Sequence, residues 1–221
     1  MAQYVLPRLS PPYGHHRASP LRAGKPLYKP PECYPGADGK FNKFDGFYGD
    51  LWSIGVLLFI LLTGCPPVSR ACMPCDRYIR ICRGKILEML DEWQGQGSVP
   101  SISVCARDLI TRLLIPEPPV MRLRLDEILE HPWVTGYYQL LAPYTEFMRS
   151  IQSVRYLEHE GTHMHWQLTS IKKRHPERRE QIEQLTNRLQ EIKSKIDGER
   201  SKQPQLKQVY LQQKARIVGS K

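Results

Sequence analysis

The strongest constraint on the fold is an apolar run over residues 51–62, in which only Ser53 and Gly55 are not hydrophobic. The run is closed by a Thr-Gly pair and then by a Pro-Pro pair. A helix that is apolar all round needs packing partners on every side. The run is shorter than the ~20 residues that span a bilayer, and it lies too far along the chain for a signal peptide. It therefore predicts the central buried helix of a soluble domain, with no membrane span.

Positive charge is concentrated at the end of the chain. The formal net charge is +10, and residues 161–221 hold 14 Lys/Arg against 6 Asp/Glu. A basic tail can contact nucleic acid, anionic lipid or acidic proteins, but a solvated helical surface explains the same composition more simply. We therefore interpret the tail as a solvated helical surface, with nucleic acid as a possible but less favoured partner.

The six cysteines are scattered and no signal peptide precedes them, which favours reduced thiols and a cytoplasmic location, with the nucleus as the alternative. Four of them follow a C-x6-C-x2-C-x6-C spacing, in which only the central pair is spaced like zinc ligands. These four are Cys65, Cys72, Cys75 and Cys82. Three nearby histidines lack a carboxylate or thiol in a familiar order, namely His159, His163 and His165. We therefore predict no metal site.

Residues 24–32 read GKPLYKPPE. This stretch resembles the end of the activation segment of protein kinases, G-T-x-x-Y-x-A-P-E. Four residues match that pattern, namely Gly24, Tyr28, Pro31 and Glu32. Lys25 stands in place of the family's Thr, which weakens an assignment to the Ser/Thr kinases without excluding it.

Three further motifs follow in the family's order and at its spacing. The first, D-x-W-S-x-G-V, opens the central helix of kinases and is matched here by Asp50, Trp52 and Gly55. The second, P-x-x-R, ends at Arg122, and the third, E-x-x-x-H-P-W, contains His131 and Trp133. Residues 24 to about 133 thus resemble part of the C-terminal lobe of a protein kinase.

The resemblance implies structural roles for some of these residues. Glu32 would form a buried ion pair with Arg122, which ties the activation segment to the later helices. Asp50 would hold the backbone of the catalytic loop, and that loop is absent from this sequence. We expect the whole set to be structural rather than catalytic.

Phosphoryl transfer by kinases needs a Gly-rich loop, a strand lysine, a catalytic-loop Asp and a metal-binding Asp. The sequence contains no G-x-G-x-x-G, V-A-I-K, H-R-D or D-F-G. The family uses ATP and Mg, but for this chain alone we predict no catalytic, cofactor-binding or metal-binding residues. We expect an inactive, pseudokinase-like partial domain. The alternatives are a non-catalytic binding or scaffold module, and a piece of an active Ser/Thr kinase whose gene model is truncated.

The predicted fold is mainly α, with a Pro-rich disordered segment at 1–23, a partial kinase C-lobe at 24–135 and a basic helical or coiled-coil extension at 136–221. Periodicity predicts helices over residues 76–91, 101–114 and 125–130, with little or no sheet. We expect the partner to be the missing kinase portion, a regulator or a second copy of the chain.

Residues 182–196 carry the seam of a short coiled coil, with apolar residues at 3-4-3-4 spacing. These are Ile182, Leu185, Leu189, Ile192 and Ile196. We expect Asp197-Gly198 to end this helix and Pro204 to prevent its resumption, with a weak helix over residues 206–218. The seam helix either folds back on the kinase-like body or self-associates. We also predict that the tail covers apolar surface of the central helix.

Overall fold

The computed structural model describes residues 25–36, 39 and 45–219. In this part of the chain all regular structure is helical, as predicted, and no strand is present. The eight α-helices are α1 Gly46–Thr63, α2 Asp76–Cys82, α3 Ile86–Gly95, α4 Val104–Leu113, α5 Leu125–Glu130, α6 Pro132–Thr135, α7 Leu141–Arg174 and α8 Arg179–Gly219. Short 3-10 helices lie at Pro31–Cys33, Pro119–Met121 and Tyr138–Leu140. The Pro-rich segment 1–23 and Gly24 lie outside the described residues.

Helix α1 is the central helix, and both of its ends are capped. The Asp45 side chain accepts a hydrogen bond from the main-chain N–H of Phe47 at its start. Gly64 ends it in the left-handed conformation, with φ of +77°. By length and composition α1 is apolar enough to cross a membrane, a criterion that the core helix of a soluble protein also meets. Its residues Trp52 and Phe59 are fully buried inside the protein.

A close crossing of α1 and α4 organises the core. A Cβ atom at Gly55 would lie 2.8 Å from Leu113 Cβ and 2.9 Å from Leu114 Cδ2, so only glycine permits this approach. One apolar cluster surrounds Trp52 and extends to α3 and α4. A second cluster joins Leu51 of α1 to α4, α5, α7 and α8.

One face of α1 remains exposed, which contradicts the expectation of a helix buried on nearly all sides. Its apolar side chains recur at heptad-like spacing and are 40–74% exposed, namely Phe47, Ile54, Leu57 and Leu61. The reason is geometric, because the surrounding helices of the described chain pack on the opposite sides of α1. The tail shares an apolar cluster with α1 at Leu51, against which Tyr48 and Leu58 also pack, so the covering role predicted for the tail applies to that side and not to the exposed face.

Two predicted helix boundaries need correction. Residues 76–91 form two helices rather than one, because Gly84 adopts φ of +70° between α2 and α3. The helix expected over residues 101–114 begins at Val104, where the Ser103 hydroxyl accepts a hydrogen bond from the N–H of Ala106. The helix Leu125–Glu130 lies where the sequence predicts it.

The tail forms an antiparallel helical hairpin of α7 and α8. Arg200 of α8 pairs with Glu158 of α7 at 2.5 Å, and Gln203 donates to the carbonyl of Ser150 at 3.5 Å. Ile192, from the predicted seam, is buried and faces Gly161. The seam thus meets α7 of the tail at Ile192, whereas packing of the seam on the kinase-like body and self-association both remain predictions.

The predicted breaks in the tail are wrong, because α8 continues through both Gly198 and Pro204. Glycine costs ~1 kcal/mol and proline ~3 kcal/mol or more inside a helix. Packing on both sides of the two residues offsets these costs. Ile192 lies buried before them, and Tyr210 lies buried after them.

Candidate functional site

The site predicted from sequence is centred on Arg122, whose side chain is fully buried. Its NH1 and NH2 groups donate to the two oxygens of Glu32 at 2.6 and 2.8 Å, so the predicted ion pair is present and bidentate. The remaining N–H groups of Arg122 donate to main-chain carbonyls at 2.7, 2.8 and 3.2 Å. These carbonyls belong to Tyr48, Ile115 and Pro116. All five donors of the guanidinium are therefore satisfied, as a buried charge requires.

Trp52 completes this centre from the side of α1. The guanidinium carbon of Arg122 lies 5.2 Å from the centroid of the indole ring, within the range of a cation–π contact. The indole N–H of Trp52 is buried and has no hydrogen-bond partner in the described chain. Trp52 therefore contributes apolar packing to the core and the face of its ring to the contact with Arg122.

Residues 25–34 lie against α1 through main-chain contacts. The Ser53 hydroxyl donates to the carbonyl of Tyr28 at 2.9 Å, and Pro31 opens the 3-10 helix that contains Glu32. The segment therefore reaches the central helix at one point and the Arg122 centre at another. It holds the P-P-E motif in a fixed position relative to α1.

Asp50 lies on the exposed side of α1. Within the described part of the chain its side chain forms neither a hydrogen bond nor an ion pair, unlike that of Glu32. A carboxylate at this place on an otherwise apolar face can accept hydrogen bonds from the main-chain N–H groups of another polypeptide segment. This placement is compatible with the role that the resemblance implies, and the role itself stays a prediction.

His131 forms a second buried centre that the sequence motif located without indicating its partners. Its Nδ1 accepts a hydrogen bond from the N–H of Trp133 at 3.1 Å, so its proton lies on Nε2. Nε2 donates to the Asp108 carboxylate at 3.1 Å, and Arg112 Nε donates to the same oxygen at 2.6 Å. Burial alone would raise the pKa of Asp108, but these two hydrogen bonds hold the pKa below its ordinary value.

This second centre connects the body to the tail. Arg112 also donates to Gln152 of α7 at 2.9 Å, and the Gln152 amide donates to the carbonyl of Met121 at 2.8 Å. Sequence reasoning missed Asp108, Arg112 and Gln152. The available signal was the Asp–Arg pair at i, i+4 spacing in α4.

The tail hairpin is anchored to α5 by both charge and aromatic packing. Arg155 of α7 pairs with Glu127, and Lys214 of α8 pairs with Glu130. Tyr144 donates to the carbonyl of Glu127 at 2.8 Å, and its ring packs edge-on against Tyr210 at 6.0 Å. The tail is thus part of the same packed unit as the body.

The two centres hold separate elements of the described chain together. Each is an ion pair or hydrogen-bond network in which the charged side chains are paired with carboxylates, carbonyls or neighbouring side chains. Within the described residues, no three His, Cys, Asp or Glu side chains come together as candidate metal ligands. A structural rather than catalytic role for the predicted site residues stays a prediction.

No protein-family model matches the chain. Curated proteins do match. MAP kinase-interacting serine/threonine-protein kinase 1 of Xenopus laevis is 39% identical over 97 residues, covering 39% of this chain and 22% of that protein. A calcium and calcium/calmodulin-dependent serine/threonine-protein kinase of Oryza sativa subsp. japonica is 40% identical over 87 residues, covering 39% of this chain and 15% of that protein.

A third relative, calcium-dependent protein kinase SK5 of Glycine max, is 37% identical over 111 residues. That match covers 50% of this chain and 19% of the relative. The chain thus spans about a fifth of the length of these curated relatives. The relatives agree in being serine/threonine or calcium-dependent protein kinases, the family to which the four sequence motifs pointed.

Proposed function

We propose that this chain, which carries a segment of the protein-kinase family, acts by binding a protein partner and not by transferring phosphate on its own. Two observations support the proposal. The sequence lacks the phosphate-binding and metal-binding motifs that kinase chemistry uses. One face of the central helix is apolar and uncovered.

The exposed face of α1 is the observation that carries the proposal. Four apolar side chains, Phe47, Ile54, Leu57 and Leu61, line it. Completing the burial of four half-exposed side chains would contribute about 3–6 kcal/mol, taking ~1.5–3 kcal/mol for each full burial. Association costs an estimated 4–15 kcal/mol. The stripe alone is therefore marginal for a dimer, so we favour a partner that covers more surface than the stripe.

Asp50 favours a particular kind of partner. It stands within the apolar stripe, between Phe47 and Ile54, and would be left without a hydrogen bond beneath a purely apolar partner. A polypeptide that brings main-chain N–H groups to Asp50 and apolar side chains to Leu57 and Leu61 fits the face better. The resemblance implies that the rest of a kinase domain would bring both kinds of group to this face. We propose that portion of a kinase domain as the partner.

The test mixes the chain with the part of the Xenopus relative that precedes the matched region, and measures mass by light scattering after gel filtration. We expect a complex with the native chain. It should be lost in the double variant Leu57→Glu/Leu61→Glu and kept in Val104→Glu, a control whose side chain is 71% exposed elsewhere. A complex that still forms with the double variant would contradict the proposal. The same measured mass for the native chain and the double variant, alone and in the mixture, would also contradict it. A homodimer lost in the double variant would instead show self-association.

The exposed face of α1 also fits the alternative that this chain is a piece of an active Ser/Thr kinase. In that case the covering segment would be covalently attached. Sequencing the full transcript distinguishes the two, since an upstream reading frame carrying H-R-D and D-F-G would establish the active kinase.

We also propose a cytoplasmic location, with the nucleus as the alternative. The six cysteines are free thiols, which is typical of reducing compartments. Imaging of a fluorescent fusion in cells tests this location. Fluorescence confined to secretory compartments or to a membrane would contradict it.

A further inference from the structure

The loop between α1 and α2 holds two thiols in a tight turn. The N–H of Cys75 donates to the carbonyl of Cys72 at 3.1 Å, which closes a four-residue turn. In such a turn the first and last Cα atoms lie within ~7 Å of each other. Disulfides join Cα atoms ~4.4–6.8 Å apart, so a turn of this kind brings the two backbones close to the range that a disulfide spans.

Both thiols are half-buried and face the same neighbour. Tyr34 lies within electrostatic reach of Cys72 and Cys75, and Cys75 and Tyr34 pack on the same apolar cluster. The loop itself is fixed, because Val68 and Ala71 are buried in that cluster. The two thiols therefore lie on one short turn of a loop that the core holds in place.

Hydrogen bonds favour the thiolate of Cys75. Its Sγ lies 3.5 Å from the Ser69 hydroxyl oxygen. Burial on its own would raise the pKa of Cys75, but hydrogen bonds from the Ser69 side chain and from the main chain at Tyr78, Arg70 and Ser69 lower it to about 7. Cys33 differs, since burial and the Glu32 carboxylate raise its pKa to about 11.

We propose that Cys72 and Cys75 form a reversible dithiol–disulfide site, at which Cys75 reacts first with a low-molecular-weight disulfide and Cys72 resolves the product. With glutathione disulfide, the Cys75 thiolate attacks one sulfur, the S–S bond breaks, and one glutathione leaves. Cys72, as the thiolate, then attacks Cys75 Sγ and releases the second glutathione. The two protein thiols lose two electrons and glutathione disulfide gains them, so the protons and electrons balance.

The mixed disulfide would alter the contact between this loop and the segment that carries Glu32. Tyr34 belongs to that segment, and its hydroxyl donates to the carbonyl of Pro26 at 3.3 Å. A glutathione on Cys75 would add a bulky charged group beside the cluster on which both Cys75 and Tyr34 pack. The resolving step by Cys72 removes that group.

Trypsin makes the test direct, because cleavage after Arg70 and Arg77 releases both thiols in one peptide, ACMPCDR. The full chain is incubated with glutathione disulfide, blocked with an alkylating agent and analysed by mass spectrometry. We expect the peptide to lose two hydrogens and to regain them after dithiothreitol. A peptide that stays fully alkylated as the dithiol, while glutathione attaches to other cysteines, would overturn the proposal.

Two variants assign the roles of the thiols. Cys72→Ser should accumulate glutathione on Cys75, because the resolving thiol is gone. Cys75→Ser should leave Cys72 largely unmodified under the same conditions. Equal glutathione attachment in both variants would contradict the assigned order of reaction.

Limited alkylation at pH 7 without any disulfide provides an independent rate measurement. We expect Cys75 to react roughly tenfold faster than Cys82, which is exposed, because only the thiolate is nucleophilic. Ser69→Ala should slow Cys75 by about threefold and leave Cys82 unchanged. Alkylation of Cys75 no faster than that of Cys82 would refute its role as the first thiol to react.

Discussion

Neutralising Glu32 should destabilise the protein far more than neutralising a comparable surface carboxylate. The change Glu32→Gln keeps the shape of the side chain and removes its charge, and it leaves Arg122 buried beside three carbonyl oxygens. Breaking one side of a buried pair typically costs ~3–5 kcal/mol. The retained carbonyls place the expected loss near the lower end, at about 3 kcal/mol. For a chain of this size that lowers the melting temperature by roughly 6–12 °C.

Arg80 and Glu92 supply the matched control. They form a bidentate pair at 2.5 and 2.7 Å, like that of Glu32 and Arg122, but Glu92 is 52% exposed. Glu92→Gln should therefore cause a much smaller change, since water screens the pair. Urea unfolding followed by circular dichroism measures both variants at equal protein concentration. An equal loss of stability in Glu32→Gln and Glu92→Gln would refute the reasoning.

Exchanging the charges of Glu32 and Arg122 tests whether the Arg122 site accepts only a positive charge. Glu32→Arg with Arg122→Glu should restore only a small part of the stability lost by either single reversal, because the three carbonyls around position 122 would face a carboxylate. The same urea experiment measures the coupling. Full recovery in the double variant would show that the carbonyls contribute little.

Three further predictions concern packing, the tail and pH. Gly55→Ala should lower the free energy of unfolding by about 1–3 kcal/mol, because its Cβ would press on Leu113. Gly198→Ala should raise it by up to ~1 kcal/mol, because no atom lies near the new Cβ. Urea unfolding measures both variants, and equal effects would contradict this prediction. A chain of residues 1–133 should melt at a lower temperature or be less soluble than the full chain, because it loses α7 and α8, which cover the second apolar cluster. Equal melting temperature and equal solubility of the two chains would refute this prediction. Asp108 has a lowered pKa in the folded state, so its contribution to folding stability is present above about pH 4 and is lost as the pH falls further. Asp108→Asn should therefore weaken the dependence of the free energy of unfolding on pH below about pH 4. The same loss of stability with falling pH in the variant and the native chain would contradict this prediction.

Motifs with fixed local spacing were predictable from sequence. The P-P-E and P-x-x-R motifs place Glu32 and Arg122 90 residues apart along the chain, yet the resemblance was sufficient to expect their contact. Periodicity located α4 because its apolar face is narrow and regular. The helix depends on short-range chemistry that a sequence carries directly, whereas the Glu32–Arg122 contact was expected from the family resemblance alone.

Features that depend on distant packing were not predictable. The exposed face of α1 could not be identified from a run that is apolar on every side, because composition does not show which sides have neighbours. Gly198 and Pro204 were interpreted as breaks by their local preferences, whereas packing against α7 keeps α8 continuous. The partners of His131 were missed for a similar reason, since Asp108 lies 23 residues earlier in the chain.

The most direct test of the central claim is a phosphotransfer assay with the purified full chain, radiolabelled ATP, magnesium and a general serine/threonine protein substrate. The claim that the chain acts by binding and not by catalysis predicts no label on the substrate or on the chain above a heat-treated control. Incorporation that rises in proportion to the concentration of the chain, and that disappears when magnesium is chelated, would contradict it.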